Sequence, residues 1–218
     1  MDRLLQQIGY DFSDGSLLKL ALTHPSLAEK TNNQRLEFLG DAVLGSIVSH
    51  LLYEMFPQEV EGQLARRHAA LVCRDTLVEV AGQVGLANAL LMANGEESAG
   101  GRQNPRNLED AMEALIGAIY LDGGYDAARN MVVRFWQPVA ASVKEAPKDA
   151  KTALQEWAQS HALPLPSYVL VAAEGPAHEP EFTVQVSVQG HDPVTATARS
   201  KRLAERMGAE TLLRQLLV

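Results

Sequence analysis

Residues 35–44 read RLEFLGDAVL, and the run continues as GSIVSHLLYEMF to residue 56. Leu36, Leu39, Val43, Ile47 and Leu51 recur at three- and four-residue steps, the period of a helix with a buried stripe. Within this apolar helix Glu37 and Asp41 stand four residues apart, on one face and about 6 Å apart along the axis. A carboxylate in apolar surroundings loses several kcal/mol of hydration unless a cation, a donor network or water compensates it. A bound metal ion is one such partner.

The same periodicity extends outward. SLLKLALTH precedes this helix, and GQLARRHAALVCRDTLVEVAGQVGL, NLEDAMEALIGAIYLDGG and YDAARNMVVRFWQPVAASV follow it, with Gly and Pro between segments. Residues 1–146 are therefore expected to form an all-helical domain. KEAPKDAK (144–151) is polar and contains Pro147, so the linker is placed at 147–151.

Beyond it the pattern changes. TALQEWAQSHA reads as a helix ended by LPLP, and SYVLVAAEG, EFTVQVSVQG and PVTATARS read as strands. Phe182, Val184, Val186 and Val188 give the second strand its alternation, and KRLAERMGAETLLRQLLV closes the chain as a helix. Residues 152–218 thus predict an α-β-β-β-α module, and the whole chain a multi-domain α and α+β protein.

Composition bounds the function. The 218 residues are 46% hydrophobic, enough for a sizeable core. The longest apolar stretch, Ala42 to Phe56, contains His50 and Glu54, so neither secretion nor a membrane is expected. A single cysteine, Cys73, excludes an internal disulfide and a cysteine-based zinc cluster, which fits a reducing compartment and a cytoplasmic protein. The net charge of −8 alone argues against a nucleic-acid partner. The acid is concentrated before residue 147, however, and Arg199, Lys201, Arg202 and Arg206 form a local basic patch in the last helix.

Asp110 and Glu113 form a second acidic pair at i, i+3, on a helix that is apolar nearly all round. Two such pairs have a common rationale if their helices cross with the acidic faces together. An oxygen-only set suits a hard ion, magnesium or manganese, better than zinc. Taken singly, either pair could be solvated, and Asp110 could simply favour the positive end of its helix.

Other candidates carry less. His191-Asp192 lies in a turn between strands, His24 in LTHPS suits packing or capping at a helix end, and Cys73 in AALVCRD reads as a core thiol. The Gly pairs at 100–101 and 123–124 lack the strand–turn–helix context of a phosphate loop.

QRLEFLGDAVL closely resembles the ribonuclease III signature, and LEDAMEALIGAIYLDGG resembles that family's second acidic helix at the expected distance. The tail resembles the double-stranded RNA-binding domain of bacterial members. The resemblance implies that Glu37, Asp41, Asp110 and Glu113 form the magnesium-binding cleavage centre, with manganese as a substitute. Glu61 matches a further acid lining the cleft, and it could equally be a solvated helix-start residue. Gln34 departs from the pattern, since many members carry Glu there.

The activity implied is hydrolysis of double-stranded RNA by an external water, leaving 5′-phosphate and 3′-hydroxyl ends, in the processing of ribosomal, messenger and transfer RNA precursors. Duplex RNA is read by shape along about 16 base pairs. Three regions of the tail would read it: Thr152, Gln155 and Glu156; His178; and Ser200, Lys201 and Arg202. Phe38, beside Glu37, must face core or a partner, and in the family its position plugs into a second subunit, which implies a homodimer. An RNA-binding regulator without cleavage would be favoured by loss of an inner acid, and none is lost. A two-carboxylate glycosidase would leave the basic tail unexplained.

Overall fold

The protein, described by a computed structural model over residues 2–27, 30–143, 150–176 and 180–217, divides into two compact units, Met1–Pro147 and Lys148–Val218. The first is all helical: α1 (Asp2–Ile8), α2 (Gly15–Leu22), α3 (Gln34–Met55), α4 (Glu61–Leu71), α5 (Arg74–Val84), α6 (Asn94–Ser98) and α7 (Pro105–Ser142), with short 3₁₀ turns at Leu86–Ala89 and Gly101–Gln103. Helix α1 and the break between α4 and α5 were not anticipated from the sequence.

Helices α3 and α7 form the centre of this unit. On α3, Leu44, Ile47, Val48 and Leu52 are almost wholly buried, as are Met112, Leu115, Ile116 and Ile119 on α7. α3 has the length and hydropathy of a membrane span, but these contacts make it a core helix. α7 contains a kink at Gly124 (φ 77°, ψ −172°), a left-handed position open to glycine at no Cβ cost, so the two predicted segments meet there without a connecting loop.

Three polar anchors fix the outer helices. The Trp136 indole N–H donates to the Leu71 carbonyl at 2.8 Å. Asp122 accepts from the Tyr10 hydroxyl at 2.7 Å and from the backbone N–H groups of Ser13 and Asp14, each at 2.8 Å. Arg67, 2% exposed, donates through Nε and Nη2 to Glu59 and through Nη1 to the Val143 carbonyl. Cys73 is exposed rather than a core thiol: it precedes α5 and its Sγ donates to the Ala70 carbonyl at 3.1 Å, because the turn between α4 and α5 faces outward.

The second unit has the order α8 (Ala150–Ser160), β1 (Ser167–Glu174), β2 (Glu181–Ser187), β3 (Val194–Ala198) and α9 (Lys201–Leu216). The three strands form an antiparallel sheet in sequence order. Val184, Val186 and Val188 are buried against Leu154, Ala204 and Leu212 of the two helices, as the alternation requires. α8 starts at Ala150, so Ala150 and Lys151 are helical rather than linker, and the Lys151 ammonium reaches Glu205 on α9 at 2.6 Å. Residues 147–149 of the expected linker lie outside the described residues. β1 is an edge strand with exposed Val169, Leu170 and Val171, and its pairing with β2 is interrupted by a bulge between Leu170 and Ala172. His191 lies in the turn between β2 and β3, its ring edge-on to Trp157.

Candidate functional site: an acidic helix crossing and a basic cleft

Backbones of α3 and α7 touch at two glycines. A Cβ on Gly40 would overlap the Glu113 carbonyl, and one on Gly117 would overlap the Leu36 carbonyl. Small residues are what permits so close an approach, and the acids flank the contact on both helices. Glu37 and Asp41 lie three residues before and one after Gly40; Glu113 lies one turn before Gly117, and Asp110 nearly one turn before Glu113.

The crossing therefore gathers all four inner acids. Burial, then the charges of Asp41, Glu109, Glu37 and Asp110, pushes the Glu113 carboxyl up to about 8. Burial and Asp110 raise Glu37, partly offset by Arg106, and burial is the first cause raising Asp110. Repulsion of this kind, only partly offset by the nearby arginine, is the electrostatic condition that a divalent ion relieves.

The donor set fits such an ion in chemistry: carboxylate oxygens only, mutually repelling, with Glu37, Asp110 and Glu113 half-buried and Asp41 exposed. In this conformation no three His, Cys, Asp or Glu side chains among the described residues converge as a ready ligand cage. The acids are neighbours by charge.

The surroundings contain residues that periodicity did not single out. Arg74 on α5 pairs with Glu109 at 2.5 Å, and Arg106 stands 3.9 Å from Asp110. Arg106 was detectable as an i, i+4 partner of Asp110, whereas Arg74 and Glu109 are 35 residues apart in the chain and only the fold pairs them. Glu61 sits exposed at the start of α4 and is not among the charges acting on Glu113, Glu37 or Asp110. Gln34, also exposed, begins α3. Phe38 is 81% exposed, which rules out a core position within the subunit.

In the second unit, Thr152 and Gln155 of α8 and Ser200, Arg202 and Arg206 around the start of α9 line an open cleft of about 630 Å³, joined by Lys151. The Ser200 hydroxyl caps α9 by accepting from the Leu203 N–H at 3.2 Å. Glu156 is exposed on α8 and Lys201 lies 4.0 Å from Glu205, and neither lines the cleft. Lys151 was missed because its segment read as linker. His178 lies outside the described residues.

An acid-lined helix crossing in an all-helical unit, followed by an α-β-β-β-α unit with a basic cleft, defines a nuclease joined to a duplex-RNA binder. A family model described as ribonuclease-III-like matches residues 14–138, and one described as double-stranded RNA binding motif matches residues 150–216. The chain belongs to the ribonuclease III family and is an endoribonuclease of the class that cuts double-stranded RNA.

It is similar to Ribonuclease 3 of Ehrlichia ruminantium (strain Gardel), 49% identical over 213 residues, 96% of this chain and 94% of that protein. It is likewise similar to Ribonuclease 3 of Wolbachia pipientis subsp. Culex pipiens (strain wPip), 45% identical over 221 residues, 99% of this chain and 96% of that protein. Among solved structures, the nuclease domain of ribonuclease III from Campylobacter jejuni, described for flexibility in a region involved in dimer formation, matches with a TM-score of 0.61 and 41% identity. That match covers 63% of this chain and 96% of the other.

Proposed function

We propose that the protein is a homodimeric, magnesium-dependent endoribonuclease of the cytoplasm that hydrolyses double-stranded RNA to 5′-phosphate and 3′-hydroxyl ends. Its substrates in this reading are precursors of ribosomal RNA and other structured RNAs. The observation that carries the reading is the close α3–α7 contact at Gly40 and Gly117, which brings Glu37, Asp41, Asp110 and Glu113 near enough for their charges to raise the Glu113 carboxyl together with burial.

Glu37, Asp41, Asp110 and Glu113 would hold the ion, and manganese would serve in place of magnesium. When bound, a divalent ion lowers the pKa of a water and stabilises charge on phosphodiester oxygens. The carboxylates supply the negative field that retains it, and no side chain need become a covalent nucleophile. The cleft of Thr152, Gln155, Arg202 and their neighbours holds the duplex through phosphate and 2′-hydroxyl contacts. Exposed Phe38, adjacent to Glu37, is assigned to the subunit contact, and an isologous dimer would match the local two-fold symmetry of a duplex.

The test is incubation with an end-labelled RNA duplex in magnesium, with a chelator control and Glu113→Gln alongside. Magnesium-dependent products with 5′-phosphate ends, lost in the variant, support the reading. Duplex binding without cleavage by the unaltered protein would make it an RNA-binding regulator instead.

A further inference from the structure

Asp110 lies only five residues into α7, near an end where helices fray because the first N–H groups lack intrahelical partners. Something must fix that end if the carboxylate is to keep its place. The cap supplies part of the answer: Asn104 accepts from the Arg106 N–H at 3.0 Å and Pro105 opens the helix. The larger part comes from Asn107, one turn before Asp110 and 7% exposed. Its amide group donates to Glu96 Oε1 at 2.9 Å and to the Gly101 carbonyl at 3.0 Å. Its Oδ1 lies 3.1 Å from His24 Nε2.

The His24 ring has one arrangement that satisfies these neighbours. The Ser26 N–H can only donate, and it meets Nδ1 at 3.0 Å, so Nδ1 accepts. In the neutral ring the proton is then on Nε2, directed at Asn107. The backbone at this point is itself clamped, since the His24 N–H donates to the Leu91 carbonyl at 2.8 Å.

The preceding residue reaches the other acidic helix. The buried Thr23 carbonyl accepts from the Asn33 N–H at 3.0 Å, and the Asn33 carbonyl accepts from the Glu37 N–H at 2.8 Å. Thr23 and His24 thus stand between the starts of α3 and α7, one tied to each. The Gly40 and Gly117 contact holds the helices at Glu113, and the Thr23-His24 pair holds them at Glu37 and Asp110.

We propose that His24 is a positioning residue for the acidic site: its Nε2–H, donated to Asn107, sets the start of α7 and with it the place of Asp110 relative to Glu37. The inference rests on the reading of the four acids as an ion-holding centre. Groups that orient ligating side chains from behind typically change ion affinity or activity by about 10- to 100-fold when removed. His24 does not touch substrate in this role. It acts through Asn107 and, through space, on the Asp110 carboxylate.

The test compares His24→Leu, which fills space without a donor, with His24→Gln, which restores an N–H near the Nε2 position. Manganese binding to the full-length protein without RNA is measured by calorimetry, together with the magnesium concentration for half-maximal cleavage. His24→Leu should weaken manganese binding about tenfold and raise the magnesium requirement to match, with KM for the duplex unchanged and with His24→Gln near the parent. Manganese affinity and magnesium requirement equal to the parent's in a folded His24→Leu would overturn the proposal. If His24→Leu does not fold, the same readings on Asn107→Ser, which cuts the link at its other end, decide it. Glu113→Gln in the same series separates the two readings: if it retains parental manganese affinity and cleavage, the acidic-site reading fails, whatever His24 does.

Discussion

Gly40 lies against the carbonyl of Glu113 with no room for a Cβ between them. Since that carbonyl is backbone, it cannot swing aside as a side chain would, and any larger residue must push α3 and α7 apart. Gly40→Ala should therefore destabilise the helical unit by about 1–3 kcal/mol or more and abolish cleavage, while the sheet module keeps its fold. Calorimetry and duplex cleavage check this; an active protein with an unchanged Tm would mean the helices are not set by this contact.

The metal-free protein should show the cost of Glu113. Its folded carboxyl titrates at about 8 against an ordinary 4.5, so its contribution to stability is fully present below about pH 4.5 and is lost as pH rises through 8. Glu113→Gln, always neutral, should melt with the parent at pH 4.5 and above it at pH 9 in chelator. Saturating magnesium should shrink the difference by stabilising only the parent. Melting curves at the two pH values, with and without magnesium, test both statements.

Tyr10 and Asp122 give stability a second pH dependence. Burial, the bond to Asp122 and that carboxylate's charge push the Tyr10 hydroxyl up to about 12, while the Tyr10 hydroxyl and two backbone N–H groups hold Asp122 below its ordinary value. The tyrosine's contribution is present below pH 10 and is lost as pH rises through about 12; the aspartate's is lost as pH falls through its lowered value. Tyr10→Phe should lower Tm by about 2–4 °C at neutral pH and remove the alkaline loss. An alkaline melting profile identical to the parent's would contradict the bond.

The basic cleft should govern affinity and its salt dependence. Replacing Arg202 and Arg206 with Ala should weaken duplex binding at every sequence and reduce the logarithmic salt slope by about one for each phosphate that is no longer neutralised. Glu113→Gln should leave that slope alone. Binding titrations at several salt concentrations, without magnesium, measure both.

Local periodicity made much of this legible. The apolar steps of α3, the alternation of Val184, Val186 and Val188, and the two same-face acid pairs are properties of neighbouring residues, so the sequence displays them directly. What escaped depends on chain-distant contacts or on local context. Glu109 acquires Arg74 only when α5 packs beside α7, and Asn107 acquires His24 across 83 residues. Cys73 sits in an apolar-looking string but at a turn that faces outward, and Lys151 sits in a polar string that is already helix.

The bulge in β1 has a colloidal consequence. An edge strand with exposed Val169, Leu170 and Val171 is a template on which another chain's strand could add. Val171 is the extra residue opposite β2, and the irregular spacing it imposes denies an incoming strand a regular ladder. Deleting Val171 would even out the edge while keeping the apolar neighbours, and light scattering at high concentration should then show self-association that the native strand resists. The extra residue thus works against strand addition at this edge.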